Sequence, residues 1–93
     1  MIKKGFVFKF PWGFTCQVED VIYKKEPIEI DTLYLKILDG PYAGYPIVLK
    51  IIAREWDEVP KKTYRVKVKI IEGVGKGIER WINVKSLFGK VWE

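Results

Sequence analysis

Lys62-Thr63-Tyr64-Arg65-Val66-Lys67-Val68-Lys69-Ile70-Ile71-Glu72 is the stretch whose reading decides the fold. Tyr64, Val66, Val68 and Ile70 recur at every second position, with Arg65, Lys67 and Lys69 between them. Successive side chains on a strand point to opposite faces, so this alternation predicts a strand with one apolar and one cationic face. Helices need apolar spacing of three and four, which is rare in this chain.

The same reading extends outward in both directions. Towards the C-terminus, Gly73-Val74-Gly75-Lys76-Gly77 reverses the chain into a strand at about Ile78 to Val84, which makes a hairpin. Ser86 to Phe88 reads as a short 3₁₀ turn before a last pairing at Val91 and Trp92. Towards the N-terminus, Trp56 to Pro60 reads as a loop and Tyr45 to Arg54 as a strand. The near-continuous Ile47, Val48, Leu49, Ile51 and Ile52 point to burial on both faces, as where a strand bends around a small barrel. Further strands are expected at about Ile28 to Leu38, Phe14 to Lys24 and Ile2 to Phe10, separated by Glu26-Pro27 and by Pro11-Trp12-Gly13.

At 93 residues the chain is one domain's length, and 48% hydrophobic with 31% charged residues is a folding composition. A chain this short buries only about 60% of its unfolded surface, which favours an architecture that limits exposed edges. The expectation is a single all-β domain over residues 1–93, a small closed or partly open barrel of about five to six antiparallel strands. An oligonucleotide-binding-type barrel and a small β-sandwich stay open as alternatives.

Within it, Leu33-Tyr34-Leu35-Lys36-Ile37-Leu38-Asp39-Gly40-Pro41-Tyr42-Ala43-Gly44, continuing through Tyr45 to Ile51, resembles the KOW element of ribosomal proteins and transcription-elongation factors. Gly40 and Gly44 match its glycine spacing, Tyr42 the aromatic of its turn, and Leu33, Leu35 and Ile37 its alternation. Ile47 stands where that family has a further glycine, and Asp31-Thr32 replaces its opening Gly-Asp. The resemblance spans about 20 residues of the chain and implies a Src-homology-3-like barrel more than it implies RNA binding. A tight hairpin selects the same glycines for backbone geometry alone.

Charge is segregated along the chain. Residues 1–60 carry eight basic and nine acidic groups, whereas residues 61–93 carry nine basic and three acidic, so the last third holds the whole excess behind the net +5. Lys61, Lys62, Arg65, Lys67 and Lys69 occur with no anion between them. On a strand, Arg65, Lys67 and Lys69 would project about 6.6 to 6.8 Å apart, suited to a run of phosphates. Lys85 and an outward Trp81 would join from the next strand, the indole as a base-stacking surface or a minor-groove wedge. The candidate contacts to DNA or RNA are therefore Arg65, Lys67, Lys69, Lys61, Lys62, Trp81 and Lys85. The plain alternative is solvation, with lysine stems covering apolar surface and Trp81 capping the core. In size and charge the chain also resembles the small basic chromatin proteins of hyperthermophilic archaea.

Other chemistries find little support. The chain has no histidine and one cysteine, Cys16, which excludes a disulfide framework, histidine catalysis and cysteine/histidine zinc patterns. Cys16 alternates with Phe14 and Val18 and reads as inert packing. Glu19 and Asp20 are adjacent, so on a regular strand they face opposite ways and cannot pair as a dyad unless a bulge intervenes. The Gly73 to Gly77 loop lacks the Walker spacing and reads as a hairpin turn. No catalytic residue, metal or cofactor is expected.

Phe6, Phe8, Phe10 and Trp12 form an apolar stripe. Core is its ordinary reading, and the rival function is that this stripe or a strand edge contacts a second copy or a protein partner in an assembly. No apolar run approaches the roughly 20 residues of a membrane helix. Lys9, Pro11 and Trp12 interrupt the basic-then-apolar start before a signal-peptide core forms, so a cytoplasmic location is expected. One Gln, one Asn, one Ser and one Met beside abundant Lys, Glu, Ile and Val form a composition selected by high growth temperature.

Overall fold

The computed structural model describes residues 2–10, 13–25, 28–58 and 61–84, with the side chains of 28, 56–58 and 61–64 outside that description. Six strands follow one another as a meander: β1 (Val7–Lys9), β2 (Thr15–Lys25), β3 (Ile28–Ile37), β4 (Pro46–Glu58), β5 (Lys61–Gly73) and β6 (Glu79–Asn83). Each pairs antiparallel with its chain neighbours in one sheet, in the order β1-β2-β3-β4-β5-β6. The sheet curls into a half-barrel, the partly open form of the expected architecture.

The curl has a local cause. Register shifts interrupt β2–β3 between Val18 and Asp20 and between Ile22 and Tyr23, and β4–β5 at Val48/Leu49, Ile51/Ala53 and Glu55/Trp56. An extra residue on one strand bends it and sharpens its twist. Thus β4 buries Ile47, Val48 and Leu49 on both faces, as its apolar run predicts, while the bulge residue Ile52 is exposed. The concave side holds the core, in which Val18, Leu33, Leu35, Leu49, Val66, Val68 and Ile70 are almost wholly buried.

Two expectations need correction. The first strand is three residues long, not nine, because Gly5 at φ 94° and the bond from Phe6 N–H to Lys3 O (3.1 Å) turn the chain before Val7. Residues 56–58 continue β4 instead of forming a loop, since Trp56, Asp57 and Glu58 stay in register with Thr63, Lys62 and Lys61. The aromatic stripe, as far as it is described, follows its ordinary reading as core: Phe8 and Phe10 are 5% and 2% exposed and Phe6 is half-buried, with ring centres 6.0 Å apart for the stacked Phe6–Phe8 pair and 5.3 Å apart for the tilted Phe8–Phe10 pair. Trp12, Glu26-Pro27, Ser86 to Phe88, and the pairing at Val91 and Trp92 lie outside the described residues.

Beyond the Thr32/Lys50 pair, no further register partners join β3 and β4 among the described residues, and the hairpins β2–β3 and β4–β5 part. Arg54 bridges the gap, its Nε 2.9 Å from Glu29 Oε2 and its Nη2 donating to Ile30 O at 2.9 Å. The β3–β4 turn is closed at Gly40 and Gly44, at φ 75° and 88°, and pinned by Asp39, whose carboxylate accepts from Thr15 N–H (2.8 Å) and Thr15 Oγ1 (3.1 Å).

Candidate nucleic-acid interface

Alternation on β5 separates the two faces as its sequence implies. Val66, Val68 and Ile70 are buried inward, while Arg65, Lys67 and Lys69 stand half-buried on the convex, outward face. On β6, Ile82 is buried, and beyond the strand's end so is Val84, whereas Trp81 is 39% exposed on the same outward side as Lys67, its cross-strand partner.

The positive field is not uninterrupted, because neighbouring strands supply the carboxylates that residues 61–71 lack. Arg65 Nη2 donates to Glu55 Oε1 at 2.7 Å. Lys67 Nζ lies 3.6 Å from Glu79 Oε1. The backbone register sets Lys61 and Lys62 opposite Glu58 and Asp57. The side chains of Lys61 and Lys62, and Lys85 altogether, lie outside the described residues. Counting charge along the chain misses these cancellations, which occur across strands.

Arg65 is also engaged by an aromatic ring. Its guanidinium carbon sits 4.7 Å from the centre of the Trp81 ring, so the cation backs one face of the indole. Of the expected set, the fold brings together Arg65, Lys67, Lys69 and Trp81.

Two further residues belong to this face. Lys50 on β4 is the direct cross-strand partner of Lys69, and neither has a carboxylate within ion-pair distance among the described residues. On β3, Thr32 is the partner of Lys50 and Tyr34 the partner of Val48, so Tyr34, 39% exposed, stands on the same side one row away. The sequence signals were a lone cation inside the apolar β4 run and the outward phase of Tyr34 between Leu33 and Leu35. Neither carries the pairing register.

Elsewhere the geometry is structural. In the hairpin after β5, Lys76 N–H donates to Gly73 O, Gly77 N–H to Ile70 O and Ile78 N–H to Gly75 O, so these amides serve the turn itself. A bulge does intervene at Glu19, but both acids are exposed and Asp20 Oδ1 accepts from Val21 N–H at 2.8 Å. Cys16 is fully buried, and burial, helped by the charge of Asp39, pushes its thiol up to about 12. Among the described residues no group of three or more acidic, cysteine or histidine side chains is placed to hold a metal, and no helix is long and apolar enough to cross a membrane.

Comparison of the chain with protein families, with curated proteins and with solved structures finds no match.

Proposed function

We propose that this protein is a noncatalytic β half-barrel that binds nucleic acid through the outward face of β4, β5 and β6, with Lys50, Lys69 and Lys67 meeting phosphates beside Trp81. One observation carries the reading: Lys50 and Lys69 face each other across β4 and β5, and among the described residues neither makes an ion pair, Glu79 opposite Lys69 lying 3.6 Å from Lys67 instead. Like charges directly opposite on a sheet destabilise it, and an anion between them reverses the sign of that term. Lys67 keeps a loose contact at 3.6 Å to a half-exposed glutamate, which phosphate can displace at little cost. Arg65 serves here as the support of Trp81 and not as a phosphate contact.

Polarisation of labelled DNA and RNA probes, titrated with salt, tests this. Log affinity falls linearly with log salt, and replacing Lys50 and Lys69 by Gln makes the slope shallower by about 1.4 to 1.8. An unchanged slope overturns the site.

A second reading, assembly with another copy or a protein subunit, has one observation in its favour. Among the described residues the sheet runs from β1 to β6 without these strands pairing, which leaves two sheet edges. Light scattering that shows a stable dimer, with no nucleic-acid affinity near physiological salt, would favour it.

A further inference from the structure

Four residues of the outward face lie on one diagonal that crosses four strands. Tyr34 stands on β3, one row from the row that joins Thr32, Lys50, Lys69 and Glu79, and Trp81 stands on β6 one row beyond it in the opposite sense. The order along the diagonal is aromatic, cation, cation, aromatic. Three strand spacings of about 4.8 Å and two side-chain repeats of about 6.7 Å put the aromatic ends about 20 Å apart along the surface. Both rings are 39% exposed, although an outward Tyr or Trp gains nothing for the core from that position. Arg65, itself fastened to Glu55, covers one face of Trp81 and leaves the other for a ligand.

Resting on the reading that this face binds nucleic acid, we infer that its ligand is a single strand, with one base stacked on Tyr34, another on Trp81, and the intervening phosphates crossing Lys50 and Lys69. The span of about 20 Å is the reach of about four nucleotides, the lower end of site sizes for small β-barrels. Two physical arguments exclude the duplex. Its bases are stacked on one another and offer no open ring face to Tyr34 or Trp81. The surface is the convex side of a curled sheet, and a stiff cylinder meets a convex surface at few points, whereas a flexible strand drapes across the diagonal. Stacking is tolerant of sequence because every base has a π face, so little base preference is expected.

The test uses the full chain with an oligothymidylate, an oligouridylate and a duplex, all of about 12 units, and polyglutamate as a non-nucleic polyanion. Tyr34→Leu and Trp81→Leu keep apolar bulk and remove the flat ring, and Tyr34→Phe and Trp81→Phe restore it. The single strands should bind at least about tenfold tighter than the duplex. Each Leu variant should weaken single-strand binding by about fivefold or more with the salt slope unchanged, and each Phe variant should recover most of it. Duplex binding as tight as single-strand binding, or Leu variants that bind like the parent while Lys50→Gln and Lys69→Gln weaken binding, overturns the stacked single strand and leaves the phosphate-binding face standing. Absence of binding to every nucleic acid, with or without polyglutamate binding, removes both.

Discussion

Lys50 and Lys69 are direct cross-strand partners on the outward face of β4 and β5, two like charges placed where a sheet ordinarily sets opposite ones. The pair lies in the middle of β4 and β5, away from the hairpin ends, where simple divergence of the strands would relieve it. The stability of the free protein should therefore rise when the repulsion is removed. Lys50→Glu converts the pair to an ion pair and should raise the unfolding free energy by roughly 0.5 to 1 kcal/mol at low salt, less at high salt. Denaturant titration of both proteins at two salt concentrations measures this. The same substitution should abolish binding to the single strand.

On the proposed reading, Arg65 acts through Trp81. Replacing it by Met keeps the apolar stem and removes the guanidinium that pairs with Glu55 and backs the indole. Affinity for a single strand should fall severalfold with the salt slope unchanged, because no phosphate contact is lost. A slope shallower by about 0.7 would show Arg65 to be a phosphate contact itself.

Cys16 should be unreactive in the native protein. Its thiol is enclosed in the core and its pKa is pushed up to about 12, chiefly by burial, so thiolate is scarce at neutral pH. Reaction with a thiol reagent should follow global unfolding and be rapid only in denaturant. The unfolded thiol ionises near 9.0 and the folded one near 12, so stability is lost as pH rises through that interval.

Asp39 ties the β3–β4 turn to β2. The Thr15 backbone N–H, with help from the Thr15 hydroxyl and Lys9, holds its carboxyl below the ordinary value of 3.8. A depressed carboxyl contributes stability above the unfolded value, and that contribution disappears as pH falls through the folded value. Asp39→Asn should lower the thermal midpoint at neutral pH, and the difference between variant and parent should shrink below the carboxylate range. Thermal melts of the two proteins across acid pH measure it.

Gly73 is required by two constraints at once. Its φ is 97°, and a Cβ there would collide with the carbonyl oxygen of Pro46 on the neighbouring strand. Gly73→Ala should cost about 2 to 3 kcal/mol. Gly77→Ala, at φ 95° but with open space around the added carbon, should cost about 1 kcal/mol. Equal losses in denaturant midpoints would show that backbone conformation alone matters.

Period-two alternation by itself determined that Val66, Val68 and Ile70 face inward with Arg65, Lys67 and Lys69 outward, because side-chain direction on a strand follows from local backbone geometry. The glycines at 40, 44 and 73 to 77 likewise marked turns, since positive φ is a local requirement. The tertiary structure alone decided which residues stand opposite one another. Register in β4 and β5 is interrupted by three bulges, and no chain-local pattern reports which of Lys50, Glu55 or Glu79 will meet a given cation. That pairing sets Arg65 against Glu55 and Lys50 against Lys69. Charge cancellation is a property of neighbours in space, set when the sheet curls, and distance along the chain does not contain it.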